Sequence, residues 1–295
     1  MSDWGKGVIN NIGWGQGANN DIGWGSIYDK SNAGETLLSG GGFEGMLNLF
    51  PNASLGLSLD KLDKNYTGSA IKVRRPSDNA ELNIGFVNGI LDIVSLLNFV
   101  GFGNGFVSII YDQVGSNNMV QNLDSLQGQI VFNGSVILEG GKPCIIRSAD
   151  DNGGYLSTYA PNDGVAVKGV FYVGDGESKD SIMFGSQTNG DDFFLVSDND
   201  NNTSIIKNIT ASNIKLNGAD ANFTTRANVR TKTDLQFLLY AELDFNFGDN
   251  VLGLGYQQNK PQGFGMFTFQ ELVIFENTND TVAKENNINE RYNIY

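Results

Sequence analysis

Six carboxylates lie in or beside segments that read as strands or their turns: Glu81, Asp112, Glu177, Asp180, Glu242 and Glu271. Two such groups held about 5 Å apart could hydrolyse a glycosidic bond with retention, and two held roughly 6.5–9.5 Å apart with inversion. The chain carries a net charge of −14, so abundance alone says little, and Asp78, Glu81 and Asp112 are expected to accept hydrogen bonds from turn and strand amides. A second oxygen-rich stretch, Asp198-Asn199-Asp200-Asn201-Asn202, sets Asp198, Asp200 and Asn202 at alternate positions as calcium candidates, and Asp175-Gly176-Glu177 with Asp180 forms another such loop. Neither has the glycine and distal glutamate of an EF-hand, so polar hairpin tips are expected and no metal is assigned.

What is missing narrows the chemistry further. The chain of 295 residues has no histidine, which excludes an imidazole base, an imidazole metal ligand and a Ser-His-Asp triad. Cys144 is the single cysteine; it can form neither an intramolecular disulfide nor a thiolate zinc site, and it is expected to be a small buried residue. No cofactor is expected. The acidic balance repels phosphate backbones, and the only basic pair is Arg74-Arg75, so no nucleic-acid partner is expected. Strand alternation should send one of these arginines outward and the other toward a carboxylate such as Asp78 or Glu81. Phe193-Phe194 could stack on sugar rings, although a strand start in the core is the plainer expectation.

The elements that must position these groups read as β. Thirty-eight glycines, five prolines and only 18% charged residues describe tight turns between short strands. Val165, Val167, Phe171 and Val173 share one parity, and Leu235, Phe237, Leu239, Ala241, Leu243, Phe245 and Phe247 share another, predicting two half-buried strands. Asn133-Gly134 between Ile130-Val131-Phe132 and Ser135-Val136-Ile137-Leu138 predicts a hairpin, and Asn217-Gly218 after Ile214-Lys215-Leu216 a second. Helices are expected at about 57–64, at about 91–99, and after Asp280, whose carboxylate could cap the first turn. In the last of these Ile288, Tyr292 and Tyr295 form an apolar stripe that should pack on the domain.

The first 42 residues differ in kind. Trp4, Trp14 and Trp24 recur with a period of ten, flanked by glycine, with Ile12 and Ile22 leading into the second and third repeats. Glycine beside an indole allows close backbone approach, and so few apolar residues cannot form a core alone. Residues 1–42 therefore read as an anchor and hinge that docks on a partner or on sister subunits, the alternative being that the indoles cap the chain's own sandwich, and residues 43–295 read as the main domain. Neither a signal peptide nor a membrane span is read in the sequence, so no membrane partner is expected.

The residues also carry a resemblance. Ser58-Leu59-Asp60-Lys61-Leu62, the run Tyr66 to Glu81, Phe99 to Val107 and Tyr111 to Asn118 resemble the opening of the concanavalin A-like sandwich of α-L-arabinofuranosidase B catalytic domains and of many phage structural proteins. Gln270 to Phe275, with Glu285 to Asn289 and Tyr292, is similar to the closing strand and helix of the same laminin-G-like jelly rolls. The Gly-Trp-Gly repeat resembles leader segments of fibre and appendage proteins of Bacteroides-infecting, crAss-like tailed phages. The resemblance implies an all-β, concanavalin A-like jelly-roll sandwich with few short helices. It implies a virion structural protein, a head or tail fibre or appendage subunit assembled in the bacterial host cytoplasm. Residues 1–42 would bind capsid or tail proteins, a homotrimer is the first expectation, and the outward face would bind a host surface glycan. No catalytic residue is carried over and no enzyme is expected; the alternatives are an arabinofuranosidase-like glycoside hydrolase and a free glycan-binding module.

Overall fold

In a computed structural model, the structure describes residues 43–147, 154–160, 167–174, 181–186, 193–233, 235–245, 252–255 and 267–295. Trp4, Ile12, Trp14, Ile22, Trp24, Glu177 and Asp180, the hinge, and the flanking Val165 and Phe247 lie outside the described residues. Every strand pairing given for the described residues is antiparallel, as the hairpin signals require.

Two sheets build the domain. The smaller runs Ala53–Ser58, Glu271–Phe275, Lys168–Gly174, Phe237–Phe245, Ile209–Leu216, Ala219–Asp220. The larger has thirteen described strands, with Gly105–Ile110 near its centre between Met119–Val120 and Gly128–Phe132, and Ile71–Arg75 also pairing with it. One apolar core lies between the sheets, joining Leu55, Val170, Tyr172, Leu239 and Leu272 of the first to Val73, Val107, Ile110, Phe184 and Leu254 of the second. This is the all-β sandwich that the sequence predicts.

The half-buried expectation fails for Lys168–Gly174, in which all seven residues are buried. Val170 and Tyr172 face the central core, while Phe171 and Val173 enter a second core with Leu238, Tyr240, Val273 and Phe275. That outer face is covered by α1 (Met46–Leu49) and α4 (Thr281–Tyr292), through Met46, Leu47, Ile288 and Tyr292. A strand between two cores needs apolar residues at both parities, and its sequence Lys-Gly-Val-Phe-Tyr-Val-Gly supplies them.

Helices α2 (Ile93–Val100) and α4 fall near their expected places, and α3 (Arg226–Lys232) was not anticipated. The helix expected at 57–64 is absent: Leu55 and Leu57 belong to the strand Ala53–Ser58, and with Leu59 they enter the core at a spacing of two. Asp92 accepts hydrogen bonds from the Ser95 amide (3.0 Å) and hydroxyl (2.6 Å), closing the first turn of α2. These bonds hold its carboxyl below the usual range, with burial opposing them. Asp280, by contrast, does not cap α4; its backbone is left-handed, at φ 55°, and its side chain makes no cap bond. Of the α4 stripe, Ile288 and Tyr292 are buried, whereas Tyr295 is half exposed and lies over Gly218.

Both predicted Asn-Gly hairpins form. Asn133 and Gly134 (φ 47° and 75°) join Phe132 to Ser135, and Asn217 and Gly218 (φ 52° and 74°) join Leu216 to Ala219. Two positive φ angles match the right-handed twist of the flanking strands. Asn88-Gly89 and Gly140-Gly141 make two further turns of this kind.

Candidate functional site

The carboxylates singled out by the sequence are drawn into internal contacts wherever they are described. Asp112 is buried and accepts from the amides of Gly56, Val114, Gly115 and Asn117 at 3.0–3.1 Å, the role expected of it. Asp78 accepts from the Ala80 amide and from Arg75 Nη2 at 2.6 Å; the guanidinium, then the amide, hold its carboxyl below the usual range. Glu81 departs from expectation: it accepts from the Ser108 hydroxyl at 2.7 Å and sits 3.7 Å from Lys72 on the neighbouring strand, side-chain contacts across the sheet in place of the expected amides. Glu242 accepts from Asn213 and from the Tyr240 hydroxyl. Arg75 pairs with Asp78, but Arg74 turns inward to Gln127, Asn79 and Asp124, rather than to Glu81. Cys144 is buried, and Phe193 and Phe194 open a buried strand, as expected.

Glu271 is the most enclosed of the set, with no exposed surface. It opens the strand Glu271–Phe275 opposite Ser58, whose hydroxyl donates to Oε2 at 2.8 Å. Arg291, in the last turn of α4, grips both carboxylate oxygens at 2.7 Å. The Tyr292 hydroxyl donates to Oε2 at 3.3 Å. Beside them Lys142 donates to Asp60 Oδ2 at 2.7 Å, and Arg291 Nη1 lies 3.9 Å from that oxygen. Burial works against the charge on Arg291, but Glu271 beside it outweighs burial and raises its proton affinity. Burial, then the charges of Glu271 and Asp60, push the Tyr292 hydroxyl well above its ordinary value.

Asp60, Lys142 and Arg291 were not distinguished in the sequence, because their partners are up to 231 residues away in the chain and meet only when the C-terminal helix and the Gly140-Gly141 hairpin pack beside the segment after Ala53–Ser58. Two carboxylates near one guanidinium resemble acid–base machinery in composition alone. Both are under a tenth exposed and fully engaged, so this cluster clamps α4 and the Gly140-Gly141 hairpin to the sheet and offers a sugar no approach.

The calcium candidates are exposed or half exposed, at the start of the segment between Ser197 and α3. Asp198 accepts from the Asn199 amide, Asp200 from the Asn202 amide and Asn202 from the Ser204 amide. These are local turn contacts of the kind short polar side chains make. Among the described residues, no three acidic or thiol side chains gather as a metal cluster.

An open groove of about 460 Å³ lies on the same segment as the buried clamp. Phe43, Lys61, Lys64, Asn65, Phe86, Asn88 and Gly89 line it. The Lys61 amide donates to the Gly89 carbonyl at 2.8 Å, tying this segment to the Asn88-Gly89 turn. Gly89 has φ +84°, and a Cβ there would lie 2.3 Å from the Phe43 ring, so only glycine lets that ring lie against the turn. Tyr66 meets Phe86 edge to face, with centroids 6.3 Å apart. Lys61 Nζ donates to the Lys64 carbonyl at 2.9 Å, and Lys64 Nζ meets Glu44 at 2.6 Å. Two aromatic rings, two ammonium groups and exposed amides around a shallow opening are the makings of a polar-ligand site, not of a proton-transfer site.

No protein-family model and no curated protein matches the sequence. The fold is similar to that of a solved arabinofuranosidase complexed with arabinofuranosyl-alpha-1,2-xylobiose, with TM-score 0.50 and 15% identity, over 80% of this chain and 62% of that chain. A GH54 α-L-arabinofuranosidase soaked with a cyclic sulfate inhibitor gives TM-score 0.42 and 15% identity over the same shares. The chain thus spans less than two thirds of the chains it matches, and the likeness is one of fold: an all-β, concanavalin A-like jelly-roll sandwich.

Proposed function

We propose that the chain is a virion appendage subunit, anchored to the capsid or tail by residues 1–42 and displaying the sandwich outward, where it binds a host glycan. The observation that carries this reading is the division of aromatic residues. All three tryptophans stand in the Gly-flanked repeat of residues 1–42, and the sequence of residues 43–295 contains none. Tryptophan is favoured where interfaces desolvate, and the repeat holds too little apolar surface to fold on itself. A homotrimer is the assembly proposed, following the resemblance of the leader.

Light scattering on the full chain and on a chain beginning at Phe43 tests this. A trimer that depends on residues 1–42, and a fixed copy number in purified particles, are the expected results. Monomers in both cases would overturn the reading. Replacing Trp4, Trp14 and Trp24 together by Ala should abolish incorporation and leave the sandwich folded.

The fold likeness favours a second reading, an arabinofuranose-releasing hydrolase. It requires hydrolysis of an aryl arabinofuranoside, lost when one carboxylate is changed to its amide.

A further inference from the structure

We infer that the groove lined by Phe43, Lys61, Lys64, Phe86 and Asn88 binds an acidic sugar, a hexuronic acid unit within a polysaccharide. The inference rests on the glycan-facing reading above and gives it a place and a ligand class.

Three observations converge. First, the walls are fixed before any ligand arrives. The Lys61–Gly89 backbone bond, the Asp60–Ile90 bridge and the Phe43 ring against Gly89 hold the two sides together. A site built on paired backbone loses little freedom on binding. Second, the groove combines the two contacts a pyranose acid needs. A ring face offers C–H groups to Phe43 or Phe86, and the exposed amide of Asn88 can meet hydroxyls. Third, the charged side chains that line the opening are both cationic, with the carboxylates Glu44 and Asp63 standing beside them outside the lining. On a chain of net −14, two ammonium groups stand at one opening. Each has three donors, of which one is used among the described residues: Lys61 donates to a carbonyl and Lys64 to exposed Glu44. A sugar carboxylate can take the remaining donors, with the ammonium of Lys64 exchanging a solvated partner at little cost. Asp63 beside the groove accepts from the Asn65 amide and the Asn48 side chain, and the charge of Lys61 also helps to hold its carboxyl below the usual range.

Isothermal titration calorimetry of the full chain with oligogalacturonate, with oligoglucuronate and with their carboxyl-reduced counterparts tests the inference. The expected result is binding of an acidic oligosaccharide, weakened at least about tenfold on carboxyl reduction and to a similar extent in Lys61→Gln/Lys64→Gln. Lys64→Arg should retain binding, and Phe43→Ala should weaken it, with circular dichroism unchanged in each variant. Equal affinity for the reduced sugars, insensitivity to the double substitution, or no heat with either acid up to about 10 mM would each overturn it. The outcome separates from that of the appendage reading: a monomeric chain that binds would retain this site, and a trimer that does not bind would lose it.

Discussion

Asp60 and Lys61 are neighbours in the chain and opposite in circumstance. Asp60 is buried, held by Lys142 at 2.7 Å and near Arg291, within a cluster that includes fully enclosed Glu271. Lys61 faces an open groove and holds one carbonyl. The same short segment therefore contributes a charge to a structural clamp and another to a surface available for recognition. The difference lies in hydration. A desolvated ion must be matched by fixed partners to be tolerated, so its geometry is determined and its chemistry spent; a hydrated one retains donors that a ligand can take.

The largest test of this contrast is removal of the clamp's cation. Arg291→Ala leaves Glu271 buried without its counter-ion and should cost about 3–5 kcal/mol in urea unfolding, whereas Arg291→Met with Glu271→Met together should recover most of that loss. A double variant as unstable as the single would mean that α4 packing, and not charge burial, dominates. Capping comes next: Asp92→Ala should lower stability by about 1 kcal/mol, since it leaves the Ser95 amide unpaired at the start of α2.

Glu285 sharpens the contrast through pH. It is buried, its Oε1 has no hydrogen-bond partner among the described residues, and burial raises its proton affinity despite Lys215 at 3.9 Å. A carboxyl with a raised folded value binds its proton more readily in the native state, so its contribution is present at acid pH and is lost as pH rises through that folded value. Glu285→Gln should therefore stabilise the protein more at about pH 8 than at about pH 4, and a gain equal at both would refute the assignment. The smallest effect belongs to the exposed pair: Arg75→Ala should leave the unfolding midpoint within measurement error, although Arg75 and Asp78 meet at 2.6 Å. A clear loss there would indicate that its bond to the Phe99 carbonyl and its stacking on the Phe99 ring matter more than the ion pair.

Local signals were legible in the sequence where a local rule governs. Asn133-Gly134 and Asn217-Gly218 formed hairpins because few other residues accept two successive positive φ angles. Asp112 was recognisable as a turn organiser, with Gly115 and two asparagines close behind it. The error at 57–64 arose because a short apolar run fits either period until its partners are known; pairing with Glu271–Phe275 decided it. Lys168–Gly174 was read as half buried because nothing within it announces that α4, more than a hundred residues later, covers its second face. The groove left no sequence signature at all, since Phe43, Lys61 and Phe86 are ordinary residues until a turn and a backbone bond set them side by side.

By itself, the sequence determined the β class, the positions of its tightest turns, the exclusion of imidazole chemistry and the segregation of tryptophan into a glycine-flanked repeat, because each depends on residue type or on neighbours within a few positions. Only the tertiary structure decided which carboxylates are consumed by clamps, which strand lies between two cores and where cationic side chains stand beside aromatic rings. Burial and desolvation are properties of the whole fold: whether a charge is fixed or available depends on what packs over it, and that is supplied by chain from far away.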